Sequence, residues 1–570
     1  MNEGLTTQAA AASAAAPGGR WHRVDAPTAL LHWGVALLVL LSLATGFRIG
    51  ADMPQAAWAQ RMATLALQGE VLFWHIASAS LLAAAAAGYA VFLLRARLTR
   101  RVAFDTARVQ ALRSSVRRAR WRALNVLIYW LAFALLFAAA VTGVLMYAGW
   151  VGVAPSTIAA LHRAVAWGFT AYVALHVTAQ VSAAGWRALL AMLVPRFAHC
   201  RAAAVAGVAL GVVGAAVYAV DTLTVTPLRI ARVAEPPRLD GDPSDSAWQQ
   251  AEAVAVQTHG GANLVDGDAP VIVRAVVHDN RAYFLFEWPD ATRSQKHHPL
   301  LKTAAGWRMV QQGYEREDEN AYYEDKFAVM LARGSRFAAL RAAHLGPRPL
   351  DERPGASGNR GLHYPTDGSI LDVWHWQSVR TNPMEQAEDD HFGPPGPPRD
   401  TFAERFAGGY SLDPATVGGA MQNWRNLLEG AAARRLDGGV VPRFLPTEPA
   451  TLKRLGRVNL DPAVSDEGEW WLTADQVSPY TVELDALYPV GTVVPSVVHR
   501  GPMQGDRSDV SAVGTWSNGW WRLEMSRQLD TGSAYDVAIG NDTFLWVAVF
   551  DHTQTRHSRH LRPLRIELPW

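Results

Sequence analysis

A single cysteine, Cys200, occurs among the 570 residues. An intrachain disulfide is therefore excluded. So is a C-x-x-C-H site for covalent haem, which needs two thiols. Lysine is absent from residues 1–226, which hold 18 arginines and 6 acidic residues, a formal charge of +12. The remainder holds 35 basic and 45 acidic residues, a charge of −10. The first part is rich in Ala, Leu and Val, the second in Pro, Gly, Trp and acids. That asymmetry indicates two environments, and the length exceeds one ordinary core. Residues 1–24, opening "MNEGLTTQAAAASAAAPGGR", lack the basic start and apolar middle of a cleavable signal peptide. They read as a disordered cytoplasmic leader, with insertion left to the first apolar run. No flavin fingerprint, nucleophile triad or molybdenum site stands out, and no nucleic-acid partner is expected.

Apolar runs long enough to cross a bilayer recur at about 29–49, 71–94, 124–147, 158–183 and 202–221. A buried globular helix accounts for any one of them, but not for five in series with almost no internal charge. Arginine sets the orientation. The stretch from Arg95 to Arg122 holds ten arginines against one acid, Asp105. The positive-inside rule puts it, and hence the N-terminus, in the cytoplasm. Arg187, Arg196 and Arg201 after the fourth run are again inside. The fifth run then leads outward, so everything after about 222 is expected outside the bacterial inner membrane.

Four histidines lie in these runs: His32 in the first, His75 in the second, His162 and His176 in the fourth. Ionisable residues within a span are costly and mark function. Alternating span direction sorts them by depth, pairing His75 with His162 near the outer side and His32 with His176 nearer the cytoplasm. Fourteen residues separate His162 from His176. At about 100° and 1.5 Å per residue, they return to within roughly 40° of one face, roughly 21 Å apart. Bis-imidazole ligation of two haems b across a four-helix bundle needs this arrangement. Zinc fits less well, because neither level offers three or four ligands. Histidines hydrogen-bonded between helices are the plainer alternative.

Residues about 25–190 resemble the bacterial cytochrome b561 and nickel-hydrogenase cytochrome b type. The resemblance rests on the "LHW" opening, on Thr45-Gly46 and Thr142-Gly143 ending spans one and three, and on the paired span-four histidines. Carried over by position, the haem ligands it implies are His32, His75, His162 and His176. It also implies electron transfer between a quinone pool and an outside partner. The two glycines would allow close approach to a porphyrin or tight helix packing.

Beyond the fifth helix, placed at 200–226, the pattern changes. "VIVRAVVHDNRAYFLFEW" is two β-rich runs around Asp279-Asn280, a hairpin signal. "DKFAVML", "ILDVWHW", "WWRLEMS" and "FLWVAVF" are further β-type runs, with long loops such as "HFGPPGPPRD" between them. The fold class is multidomain α plus all-β: a transmembrane four-helix di-haem bundle, a fifth anchor helix, then an extracytoplasmic β-sandwich over 230–570.

This second part resembles the ethylbenzene-dehydrogenase-related haem-binding domain. The resemblance rests on "LDG…D…AW", "YYEDKFAVML", "DGSILDVWHW" and "SRQLDTGSAYDVAIG…WVAVFD". In such domains methionine and lysine ligate haem b, or a C-x-x-C-H site follows the "ED" strand. Here "LRAAH" (340–344) stands in that place without cysteines, leaving His344 as the tentative ligand of a third haem b. Ser526 and Arg527 stand where the lysine is expected. Met330, His375 and the cluster His552, His557 and His560 are lesser candidates; a solvated loop is the ordinary expectation for the cluster.

The expected function is a membrane b-type cytochrome carrying electrons between quinone and an extracytoplasmic partner. That partner is a basic soluble cytochrome c or a catalytic oxidoreductase subunit. The acidic outer balance would steer a basic one. The alternative is a sugar- or small-ligand-binding sandwich tethered to a membrane cytochrome. A trough of exposed Trp would support it.

Overall fold

A computed structural model of the chain describes residues 24–51, 65, 67–149, 155–184, 192–311, 321–345, 362–394, 409–426 and 439–570. The expected leader, apart from Val24, lies outside the described residues, as do Arg187 and most of "HFGPPGPPRD". Among the described residues, five helices are long and apolar enough to cross a membrane: α1 (Ala26–Ala51), α2 (Val71–Arg95), α3 (Arg117–Ala148), α4 (Pro155–Ala184) and α5 (Cys200–Leu223). Even the shortest, at about 1.5 Å per residue, reaches roughly 36 Å and exceeds a hydrocarbon core of about 30 Å. A helix closes all its backbone hydrogen bonds internally, which lipid demands.

The chain forms two compact units, one from Met1–Leu40, Ser78–Leu136 and Trp167–Val217, the other from Leu41–Ala77, Phe137–Ala166 and Tyr218–Trp570. In the first unit Asp25 caps α1. Its Oδ1 accepts from the Thr28 amide at 3.1 Å, and its Oδ2 meets Arg101 Nη2 at 3.1 Å. Gly88 on α2 lets α5 come close, since a Cβ there would stand 3.1 Å from the Ala206 carbonyl.

In the second unit two sheets face each other. The six-stranded sheet runs β2 (Ala231–Arg232), β4 (Ala269–His278), β5 (Arg281–Pro289), β13 (Trp520–Gln528) and β12 (Ser511–Ser517), with β3 (Val254–Thr258) on β4. The eight-stranded sheet runs β1 (Thr226–Arg229), β16 (Leu564–Glu567), β14 (Thr543–Phe550), β6 (Lys326–Arg333), β9 (Leu371–Gln377), β10 (Glu388–Phe392) and β11 (Tyr410–Leu412), with β15 (Ser558–Arg559) on β14. Alternation fixes the inner faces. Phe284, Phe286 and Trp288 of β5 meet Phe327 of β6 and Trp374 and Trp376 of β9. Each such side chain contributes about 1.5–3 kcal/mol on burial. "WHW" is thus core at both tryptophans, with His375 on the opposite face.

Sheet pairing already begins at Thr226, three residues after α5 ends. The join is clasped. Asp221 of α5 pairs with Arg336 at 3.0 Å, and Arg562 Nη2 donates to the Asp221 carbonyl at 2.7 Å.

The sequence motifs are mostly fold anchors. In "LDGDPSDSAW" the amides of Asp240 and Gly241 and the indole of Trp248 all donate to Glu524 of β13. Gly241 has φ of +77°, and a Cβ there would fall 2.5 Å from Thr515. In "YYEDKFAVML", Glu324 accepts from the Val379 and Arg380 amides and pairs with the Arg380 side chain. Burial alone would raise its pKa, but Arg380 and His297 outweigh that and hold it well below the usual carboxylate range.

Candidate functional site

The four span histidines meet in two pairs. In the second unit the rings of His75 and His162 lie 6.1 Å apart, nearly perpendicular. Each Nδ1 has a partner that fixes its tautomer. Thr142 Oγ1 donates its one proton to the Ala138 carbonyl at 2.7 Å, the usual back-bond of a helical threonine. It therefore accepts from His162 Nδ1 at 2.8 Å. Thr45 Oγ1 likewise donates to the Leu41 carbonyl at 2.6 Å. The His75 Nδ1–H is shared between the Ser42 carbonyl at 3.0 Å and Thr45 Oγ1 at 3.1 Å. Carbonyls only accept, so both rings carry their proton on Nδ1 and their lone pair on Nε2. Gly46 and Gly143 complete the pattern. A Cβ at Gly46 would stand 3.0 Å from His75 Cε1, and one at Gly143 would stand 3.5 Å from His162 Cε1. Each Thr-Gly step thus adjoins one imidazole: the threonine hydroxyl bonds its Nδ1, Gly46 leaves room for the His75 ring, and Gly143 lies at ordinary contact distance from that of His162.

In the first unit the rings of His32 and His176 lie 6.3 Å apart at 37°. Tyr172 stacks on His176 at 5.7 Å, and Trp33 stands edge-on to His32 at 5.2 Å. His176 Nδ1 is buried without a hydrogen bond. No Thr-Gly step serves this pair.

In the β-rich part the backbone of His344 lies in β7 (Ala343–Leu345), opposite His363 of β8 (Leu362–Tyr364). Its side chain is outside the described residues. A cavity of about 510 Å³ lies beside the adjoining segments, lined by Arg333, Arg341, Asp367, Ser369, Asp530 and Asp536 among others. The same segments touch the helix ends. Phe337 meets Phe73 of α2 at 6.1 Å, and Arg341 lies 4.7 Å over that Phe73 ring.

Residues 245–562, over half of the chain, match the ethylbenzene dehydrogenase family. The chain belongs to this family. Residues 23–195 match prokaryotic cytochrome b561, so a cytochrome b561 module precedes the ethylbenzene dehydrogenase-like domain. The protein is accordingly a membrane b-type cytochrome of electron transfer that binds haem b and works with a redox partner. A solved structure similar to it is a carbohydrate binding module family 9 from Caldicellulosiruptor kristjanssonii in complex with cellotriose. It is 9% identical, with 60% of this chain and 93% of that chain covered and a TM-score of 0.20. No curated protein matches.

The lesser ligand candidates of the ethylbenzene dehydrogenase-like domain are found as follows. Arg527, where the resemblance implied lysine, does not reach the cavity. It is fully buried, bonded to Asp372 at 2.5 Å and 3.6 Å from Asp389. Its neighbours stayed hidden because they come from strands far apart in sequence. The terminal histidine cluster is a solvated loop only in part, with His552 and His557 half-buried. His560 is buried, and its Nε2 accepts from the Val547 amide at 2.9 Å. Burial, with His259 nearby, pushes its pKa down to about 3, so it stays neutral. His375 Nδ1 is bonded to the Tyr410 hydroxyl at 3.1 Å, and Met330 packs among Ala332, Leu371 and Trp546. Among the described residues of this domain, Trp570 is the one strongly exposed tryptophan, so there is no trough of indoles for a sugar.

Proposed function

We propose that His75 and His162 are the axial ligands of one haem b, His32 and His176 those of a second, and that electrons pass through them between quinone and an extracytoplasmic partner. The pairing of rings carries the reading. With metal–nitrogen bonds of about 2 Å, two trans imidazoles have centroids roughly 6 Å apart, and both pairs stand at that separation. The chemistry of the outer pair fits too, since Nε2 lone pairs are what iron takes. The group supplies one-electron carriage. The chain holds the imidazoles, sets their tautomers and excludes water with apolar helix faces. The ten arginines of Arg95–Arg122 support a cytoplasmic side for that stretch, with residues after about 222 outside.

A third haem b in the cavity beside His344 extends the path outward. Arg333 and Arg341 on its wall suit propionates. Purified full-length protein is expected to give three haems b per chain by pyridine haemochrome, and two after His344→Ala. A wild-type value of two would remove the outer haem and leave the membrane pair standing.

Removing a threonine acceptor makes its histidine a poorer electron donor to iron, so the midpoint potential rises. Thr142→Val should raise one potential and weaken retention of that haem about 10- to 100-fold. Thr45→Val should do less, because Ser42 still accepts from His75. Potentiometric titration of the two variants reads this, and equal shifts would sink it.

A further inference from the structure

A second cluster of chemistry lies in the sandwich, away from the span histidines. Asp389, Asp413 and Asp536 each present a carboxylate oxygen, and the three oxygens lie within 4.8 Å of one another. Asp372 is adjacent through their shared neighbour Arg527, which stands 3.5 Å from Asp536. Asp372, Asp389 and Asp413 are wholly buried and Asp536 nearly so. Three of these carboxylates, Asp372, Asp389 and Asp536, thus face one permanent cation, Arg527. His391 bonds Asp413 through Nδ1, and Arg507 reaches only the Asp413 backbone carbonyl, at 2.9 Å. Burying so much like charge without compensation is costly.

One side chain points to what is missing. Asp389 is 0% exposed, and neither of its oxygens has a hydrogen bond. Asp413 Oδ2, Asp536 Oδ1 and Asp372 Oδ1 also have none. Other acidic clusters in the domain differ. Asp325 accepts from the Ser294 and His552 amides and from the Trp521 indole, and Glu388 accepts from Gln377. At both, the named carboxylates are hydrogen-bonded, and beside Glu388 one oxygen, Asp390 Oδ1, has no such bond.

We propose that Asp389, Asp413 and Asp536 bind a calcium ion. Calcium takes oxygen ligands at about 2.3–2.6 Å, so oxygens sharing one ion lie within about 5 Å of one another, a limit these three satisfy. The donors are all hard carboxylates, and the one imidazole is turned to Asp413 by its Nδ1. Softer metals such as zinc prefer nitrogen and sulfur. Magnesium prefers to keep several waters. Asp536 also lines the cavity beside His344, so the ion would brace that wall.

The test uses full-length detergent-purified protein, stripped with EGTA and then equilibrated with calcium chloride, magnesium chloride or zinc chloride. Metal analysis and the unfolding temperature of the outer domain are the readouts. Wild type should retain one calcium per chain after buffer exchange and unfold at higher temperature with calcium than without. Asp389→Asn and Asp536→Asn should each weaken calcium binding about tenfold or more, while Asp325→Asn leaves it intact. No bound calcium and no thermal shift on wild type would overturn the site, whatever the variants do. So would calcium binding that survives Asp389→Asn and Asp536→Asn, or a preference for zinc.

Discussion

His162→Ala should abolish one of two b-type components in the reduced-minus-oxidised spectrum, and His75→Ala should abolish the same one. His176→Ala and His32→Ala should abolish the other. Each variant should lose one haem per chain, because a ligating imidazole would have no substitute on an apolar helix face. The expectation follows from the rings, which meet as His75 with His162 and His32 with His176. Difference spectra of membranes and haem-to-protein ratios read it directly. If His162→Ala and His176→Ala erased the same component, both pairings would be wrong. A mixed double variant, His75→Ala with His176→Ala, should lose both components, whereas His75→Ala with His162→Ala should lose only one.

The second large effect concerns stability. Arg527→Leu removes the one permanent cation among Asp372, Asp389 and Asp536. Breaking a buried ion pair from one side costs about 3–5 kcal/mol. Tryptophan fluorescence should report it, since Trp288, Trp374, Trp376 and Trp521 form the sandwich core. The loss should grow with pH. Burial lifts the Asp372 pKa to about 6 even though Arg527 opposes the rise, and Asp389 lies higher still. A carboxyl raised on folding binds more protons folded than unfolded, so stability falls as pH climbs from about 4 upward. Without Arg527 those pKa values rise further and the fall steepens. Measured in EGTA, the deficit relative to wild type should be larger at pH 8 than at pH 5. Equal deficits at both would show that the lost packing, not the charge, is responsible.

The membrane histidines were legible because helical period and span direction act locally, and each can be counted along the chain. His162 and His176 share a face by arithmetic alone. The partners of their Nδ1 atoms were not legible. Thr142 meets His162 across an interhelical contact that no spacing rule gives. The Thr-Gly steps were visible as motifs, yet the meaning read into the glycines was only close approach or packing. Their contact is with an imidazole. In the sandwich, alternation gave the core at Trp374 and Trp376. It could not foresee Glu524 collecting donors from Asp240, Gly241 and Trp248, nearly three hundred residues earlier. The carboxylates around Arg527 come from β9, β10, the segment after β11 and the segment after β13. Only strand pairing unites them.

The clasp at the end of α5 makes its last turn part of the sandwich. β1 starts three residues after the helix end, and Asp221 is gripped by Arg336 and Arg562. A cut made just before β1 would leave both arginines without that carboxylate, so a sandwich excised there should melt at a lower temperature than one that keeps residues 218–223.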